Sequence, residues 1–122
     1  SIYFMSASKI WTIYEKGDLD KVGYNLLSYL LEARVIDNIG ESSDPKAQLQ
    51  FIVQKYLPPM TFFKLTIFKG SPTESWLTIC NANEEAFEAS VEVSSISVPY
   101  TSKVGEIYLI NLILARSEES IG

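Results

Sequence analysis

From Ile107 to Ala115 every residue is apolar except Asn111. That run is far too short to cross a bilayer as a helix. It reads as a strand with both faces covered, placed centrally in a sheet. The preceding segments supply partners for it. Thr61 to Phe68 alternates, with Phe63, Leu65 and Ile67 on one side and Lys64 and Thr66 on the other. Gly70-Ser71-Pro72 marks a hairpin turn, and Ser75 to Cys80 is the return strand. Asn81 to Glu85 reads as a second turn. Phe87, Ala89, Val91 and Val93 then fall on one face of a half-exposed strand, with Glu88, Ser90, Glu92 and Ser94 on the other. Beyond Val93 the apolar phase shifts to Ile96, Val98 and Tyr100, which predicts a bulge near Ser94-Ser95. Pro99 to Gly105 is expected to turn the chain into the last strand.

The first half has helical spacing. An N-terminal helix is expected from about Ile2 to Glu15, stopped by Gly17. Asp18 suits the cap of a second helix, because its carboxylate accepts from free first-turn amides at the positive helix end. Leu19, Val22, Gly23, Leu26, Leu27, Leu30 and Leu31 line its buried face, and it is expected to run to Val35 or Ile36. Asp44-Pro45 starts a third helix: Asp44 caps it, and Pro45 stands where no amide is needed. Leu49, Ile52, Val53 and Tyr56 share a face, and Pro58-Pro59 ends the helix. The order predicts a single α+β domain over residues 1–122, with a helical part at 1–56, an antiparallel sheet at 61–116 and a tail at 117–122. Three N-terminal helices should pack on one face of about four strands.

A chain of 122 residues buries roughly two-thirds of its extended surface, enough for one core without staples. Ten basic residues are scattered against fifteen acidic ones, for a net charge of −5. Binding to nucleic acid needs clustered positive charge, so it is not expected. There is no histidine and one cysteine, Cys80. That removes the commonest general base and any tetrahedral zinc site formed by this chain alone. Asp18 and Asp20 lack the ligand spacing of a calcium loop. The six glycines never cluster into a phosphate cradle. Cys80 lies in a strand without an adjacent positive charge in sequence and reads as a small core hydrophobe. Glu88 and Glu92, on one strand face, would stand about 13 Å apart, too far for a close carboxylate pair. The chain is therefore read as a non-enzyme, with no catalytic residue, no metal and no cofactor.

Aromatic residues are the remaining signal. Tyr56, Phe62, Phe63 and Phe68 crowd the junction of the third helix and the first strand, mostly as core. Phe62 and Phe63 must face opposite sides, so an exposed one would mark a contact patch. Phe62, Phe68 and Tyr100 are the candidate interaction residues.

Three stretches carry a resemblance: Leu26-Leu27-Ser28-Tyr29-Leu30-Leu31-Glu32-Ala33-Arg34, then Tyr56-Leu57-Pro58-Pro59, then Tyr108-Leu109-Ile110-Asn111-Leu112-Ile113-Leu114. In this order they resemble archaeal type IV pilin-like (flagellin-like) secreted proteins. The likeness is one of pattern and spans most of the chain. In that family a hydrophobic N-terminal helix anchors the subunit before export and forms the filament core after processing, while the globular domain faces outward. The resemblance implies a secreted or cell-surface subunit acting through protein–protein association. It also implies contact with a membrane only through a hydrophobic segment and leader ahead of Ser1, absent from this chain. The alternative reading is a cytoplasmic interaction or adaptor domain, of viral type for instance, that binds a partner through its sheet face. An enzyme using carboxylates or a lysine is the third.

Overall fold

The computed structural model describes residues 19–70 and 75–116. The expected helix at Ile2 to Glu15, the Gly17 stop, the Asp18 cap, the turn residues 71–74 and the tail 117–122 lie outside the described residues. The described chain is α+β. Helices α1 (Leu19–Glu32), α2 (Val35–Ile39) and α3 (Pro45–Tyr56) are followed by strands β1 (Thr61–Lys69) and β2 (Ser75–Cys80). A short helix α4 (Glu84–Glu88) and strands β3 (Glu92–Thr101) and β4 (Ile107–Arg116) complete it. The strands form one antiparallel sheet in the order β2-β1-β4-β3. Two hairpins are thus joined edge to edge by β1 and β4, and β4 is central as its composition demands.

The core lies between one face of the sheet and the helices. Phe63, Leu65 and Ile67 of β1 meet Ile110, Leu112 and Leu114 of β4 in one buried cluster with Leu26, Leu27 and Leu30 of α1, Ile36 and Ile39 of α2, and Leu49 and Val53 of α3. Gly23 sets how closely α1 approaches. A Cβ there would stand 3.0 Å from Ile96 Cδ1 and 3.4 Å from Leu114 Cδ1. The start of α1 is tied to the start of β3. Leu19 N donates to Glu92 Oε2 at 3.3 Å, and the Ser94 hydroxyl donates to the Asp20 carboxylate. A carboxylate at a helix N-terminus meets both the free amide and the positive end of the dipole. At the far end of the β1–β2 hairpin, Asn81 prolongs the ladder with its side chain. Its Oδ1 accepts from Phe63 N at 2.8 Å, and its Nδ2 donates to Thr61 O at 3.0 Å.

Several expectations are corrected. The second helix does not run through to Val35 or Ile36. It stops at Glu32, and Arg34 adopts φ 55°, ψ 41°, after which α2 begins. This left-handed geometry costs a non-glycine residue about 1–2 kcal/mol. The Arg34 side chain is engaged in return, donating to Asp37 Oδ2 at 3.1 Å and to Tyr100 OH at 3.0 Å. The strand expected from Phe87 to Val93 is instead α4 and a turn, with β3 starting at Glu92. The cause is the Asn83 cap, whose Oδ1 accepts from Ala86 N at 2.9 Å. The phase change beyond Val93 needs no bulge, because Val93 stands on the outward face of β3 while Ile96, Val98 and Tyr100 stand on its helix-covered face. The β3–β4 register runs unbroken from Glu92↔Arg116 to Thr101↔Ile107, and the irregularity falls between Ile67 and Phe68 of β1. Pro99 belongs to β3 and not to the turn, which is tolerated because β3 is an edge strand. Tyr56, placed on the buried face of the third helix, is 42% exposed and stacks on Tyr29 with centroids 5.3 Å apart. Finally, β4 is fully covered on one face only. Tyr108, Ile110, Leu112 and Leu114 are buried, while Leu109, Asn111 and Ile113 are half-buried.

Gly23 provides the test of this packing. Replacing it with Leu forces several carbons into Ile96 and Leu114, and overpacking of that kind costs about 1–3 kcal/mol. Urea unfolding should show that loss. Gly23→Ala should lose much less, because the Ile96 methyl can yield and alanine favours the helix by about 1 kcal/mol. A Gly23→Leu chain as stable as the parent would mean that α1 stands farther from the sheet.

Candidate interaction surface

The face of the sheet turned away from α1 and α3 is generated by strand alternation. On β1, the half-buried Phe62, Lys64, Thr66 and Phe68 alternate with buried Phe63, Leu65 and Ile67. The register sets these beside Ala115, Ile113, Asn111 and Leu109 of β4. β4 in turn stands beside Val93, Ser95, Ser97 and Pro99 of β3. On the other side, Thr78 and Cys80 of β2 oppose Thr66 and Lys64.

The centre of this face is polar but uncharged. Asn111 Nδ2 donates to Ser97 Oγ at 2.9 Å and reaches Ser95 Oγ at 3.5 Å. That explains how an asparagine sits inside an apolar central strand: it points outward, to a row of serines on the neighbouring edge. Around it stand Leu109, Ile113, Phe62 and Phe68. α4 lies over one end, where Phe87 meets Phe62 edge-on with centroids 6.3 Å apart at 64°. Between α4 and the sheet runs a groove of about 480 Å³. Phe87, Val93 and Ile113 make its apolar lining, with Lys64, Cys80, Glu84 and Glu88 around them.

The three residues singled out in the sequence do not share one surface. Phe62 and Phe68 both lie on this outer face, on β1. Tyr100 lies on the opposite, helix-covered face and is 8% exposed. Its hydroxyl donates to Asp37 Oδ2 at 2.9 Å and accepts from Arg34, so it closes a three-membered network between α2 and β3. Leu109, Ile113 and Val93 were missed as members of the outer face. The available signal was Asn111, since Leu109 and Ile113 flank it two residues away on either side and must share its face. Cys80 is also corrected: it is exposed and not a core residue. The positive neighbour absent from the adjacent sequence is supplied across the ladder, where Lys64 is the register partner of Cys80.

On the helix-covered face the tyrosines titrate abnormally. Desolvation pushes the Tyr100 hydroxyl up, and its hydrogen bond to Asp37 adds to the effect. Burial likewise pushes the Tyr108 hydroxyl up to about 12, helped by its hydrogen bond to Glu106 at 3.0 Å. The Arg34 guanidinium is held above its ordinary value by its hydrogen bonds to Asp37 and Tyr100. Among the described residues no group of three or more cysteine or acidic side chains is arranged to hold a metal, and no helix is long and apolar enough to cross a membrane.

Two measurements follow. Ellman's reagent should react with Cys80 in the folded chain at nearly the rate seen in urea. Strong native protection would return the thiol to the core. The raised tyrosine values concern alkaline stability. An unfolded tyrosine ionises near pH 10, whereas Tyr108 holds its proton to about 12. The folded state therefore binds more protons in that interval, and stability falls as pH rises through it. Tyr108→Phe should lose less stability than the parent between pH 9.5 and pH 12. An equal loss would show that Tyr108 ionises as freely as in the unfolded chain.

Comparison with protein families, with curated proteins and with solved structures found no match to this chain.

Proposed function

We propose that this domain acts by protein–protein association and not by catalysis, and that the outer face of its sheet is the surface it presents. The observation that supports this is the asymmetry of the sheet. One face is buried under the helices, while the other keeps Phe62, Phe68, Leu109 and Ile113 half-buried around an uncharged centre. Among the described residues only α4 rests on it, at one end. Contiguous apolar surface of this kind marks contact sites.

The strands of this face carry one charged side chain, Lys64, and no acidic one, which favours a second copy as the partner. Two chains of net charge −5 repel each other, and the repulsion is least where the meeting strands carry no acidic group. A pilin-like subunit, secreted or held at the cell surface and repeated along an assembly, is the narrower form of this reading. The other form is an adaptor, cytoplasmic in setting, that takes a different protein on the same face. The groove under α4 favours it, since its apolar lining between Lys64 and the α4 glutamates suits one projecting side chain of a partner.

Ile113→Glu tests the surface, because it puts a charge in the outer face without touching the core. Sedimentation velocity should show self-association weakened about tenfold or more, a change of about 1.4 kcal/mol, with the far-ultraviolet circular dichroism unchanged. Unchanged association would remove this face from the contact. A parent chain that stays monomeric at millimolar concentration would remove the second-copy form.

A further inference from the structure

At the opposite end of the molecule from the groove under α4, α2 and the β3–β4 turn enclose a cleft of about 450 Å³. Its aromatic wall is Trp76 and Tyr108, with ring centroids 5.5 Å apart and planes inclined at 44°. Glu106 stands beside them. One carboxylate oxygen accepts from Tyr108 OH at 3.0 Å, and the other lies 3.5 Å from Lys69 Nζ. The same Nζ lies 5.9 Å from the Trp76 ring centroid and 6.0 Å from that of Tyr108. The chain's own ammonium thus occupies the position a cation takes in an aromatic recognition site: against two π faces and one carboxylate.

Lys69 is a weak occupant. Its side chain is 44% exposed and that of Glu106 is 45% exposed. An ion pair so exposed contributes about 0–1 kcal/mol. A primary ammonium is also strongly hydrated, and it gives up that hydration reluctantly to lie against a ring. A trimethylammonium group carries the same charge with a weaker hydration shell, and its methyls bury apolar surface on the rings. Withdrawal of Lys69 leaves the cleft ready for such a group. Asp37 is already matched by Arg34. Glu41 and Glu106 then face Lys103 alone, so one negative charge is uncompensated.

We propose that this cleft binds a quaternary ammonium group, which displaces Lys69 from the Trp76 and Tyr108 rings and pairs with Glu106. The site is independent of the outer sheet face. Lys69 acts as a tethered competitor that holds the cleft closed to weaker cations.

The test uses the full chain carrying Trp11→Phe, so that Trp76 is the sole indole, titrated with tetramethylammonium chloride against sodium chloride at equal ionic strength. A saturable change in Trp76 fluorescence is expected with the organic cation alone. Lys69→Met should tighten binding several-fold by removing the competitor, and Glu106→Gln should weaken it about tenfold. Both positions are well exposed, and circular dichroism checks each fold. The Trp76 indole N–H resonance, followed in the chain with Lys69 and Glu106 intact, gives a second readout. Choline and phosphatidylcholine vesicles separate the sources: binding of choline alone assigns a free small molecule, and binding of both assigns a lipid headgroup. No saturable response with Lys69 present or removed overturns the proposal, and so does weaker binding in Lys69→Met.

Discussion

The pairing of β1 with β4 is the contact on which the rest depends. It joins residues about fifty positions apart along nine registered pairs, from Thr61↔Arg116 to Lys69↔Tyr108. Without it the sheet is two separate hairpins, and a two-stranded hairpin is marginal in water. With it, Phe63, Leu65 and Ile67 come alongside Leu114, Leu112 and Ile110, each at most 1% exposed. That continuous apolar surface is what α1, α2 and α3 cover. The loop-closure entropy of so distant a pairing is recovered only once this layer is buried.

Much of this was legible in the sequence because period-two and period-three-four patterns survive folding. The alternation of β1, the Asp44-Pro45 start of α3 and the central place of β4 each rest on residues whose local preference agrees with the tertiary result. What was not legible depends on contacts between distant residues. Arg34 carries no sequence mark of a left-handed backbone; its geometry goes with bonds to Asp37 and to Tyr100, sixty-six positions away. The segment from Phe87 to Val93 alternates like a strand, yet the Asn83 cap starts a helical turn that takes up Phe87 and leaves Ala89, Val91 and Val93 exposed. Tyr100 shares the apolar phase of Ile96 and Val98, and that phase is the covered face, so the residue named for an interaction surface is 8% exposed. Cys80 and Lys64 become neighbours only through the register of the ladder.

The two faces of the sheet divide the chemistry. The covered face carries the aromatic and ionisable clusters, where burial alters the behaviour of Tyr100 and Tyr108. The outer face carries apolar and hydroxyl groups in which charge is confined to the α4 end. A surface of the second kind suits contact over an extended area, and a recess of the first kind suits one small charged group. The two proposals are therefore physically separate, since no residue of one contributes to the other.

Pro99 bears on how copies of this chain can meet. It lies within β3, which among the described residues pairs only with β4 and forms one margin of the sheet. Having no amide hydrogen, it interrupts the row of donors that an incoming strand would need along that margin. Endless lateral growth into a fibrillar ribbon is disfavoured there, in a chain rich in β-forming segments. Any ordered stacking of this domain is steered away from the β3 border.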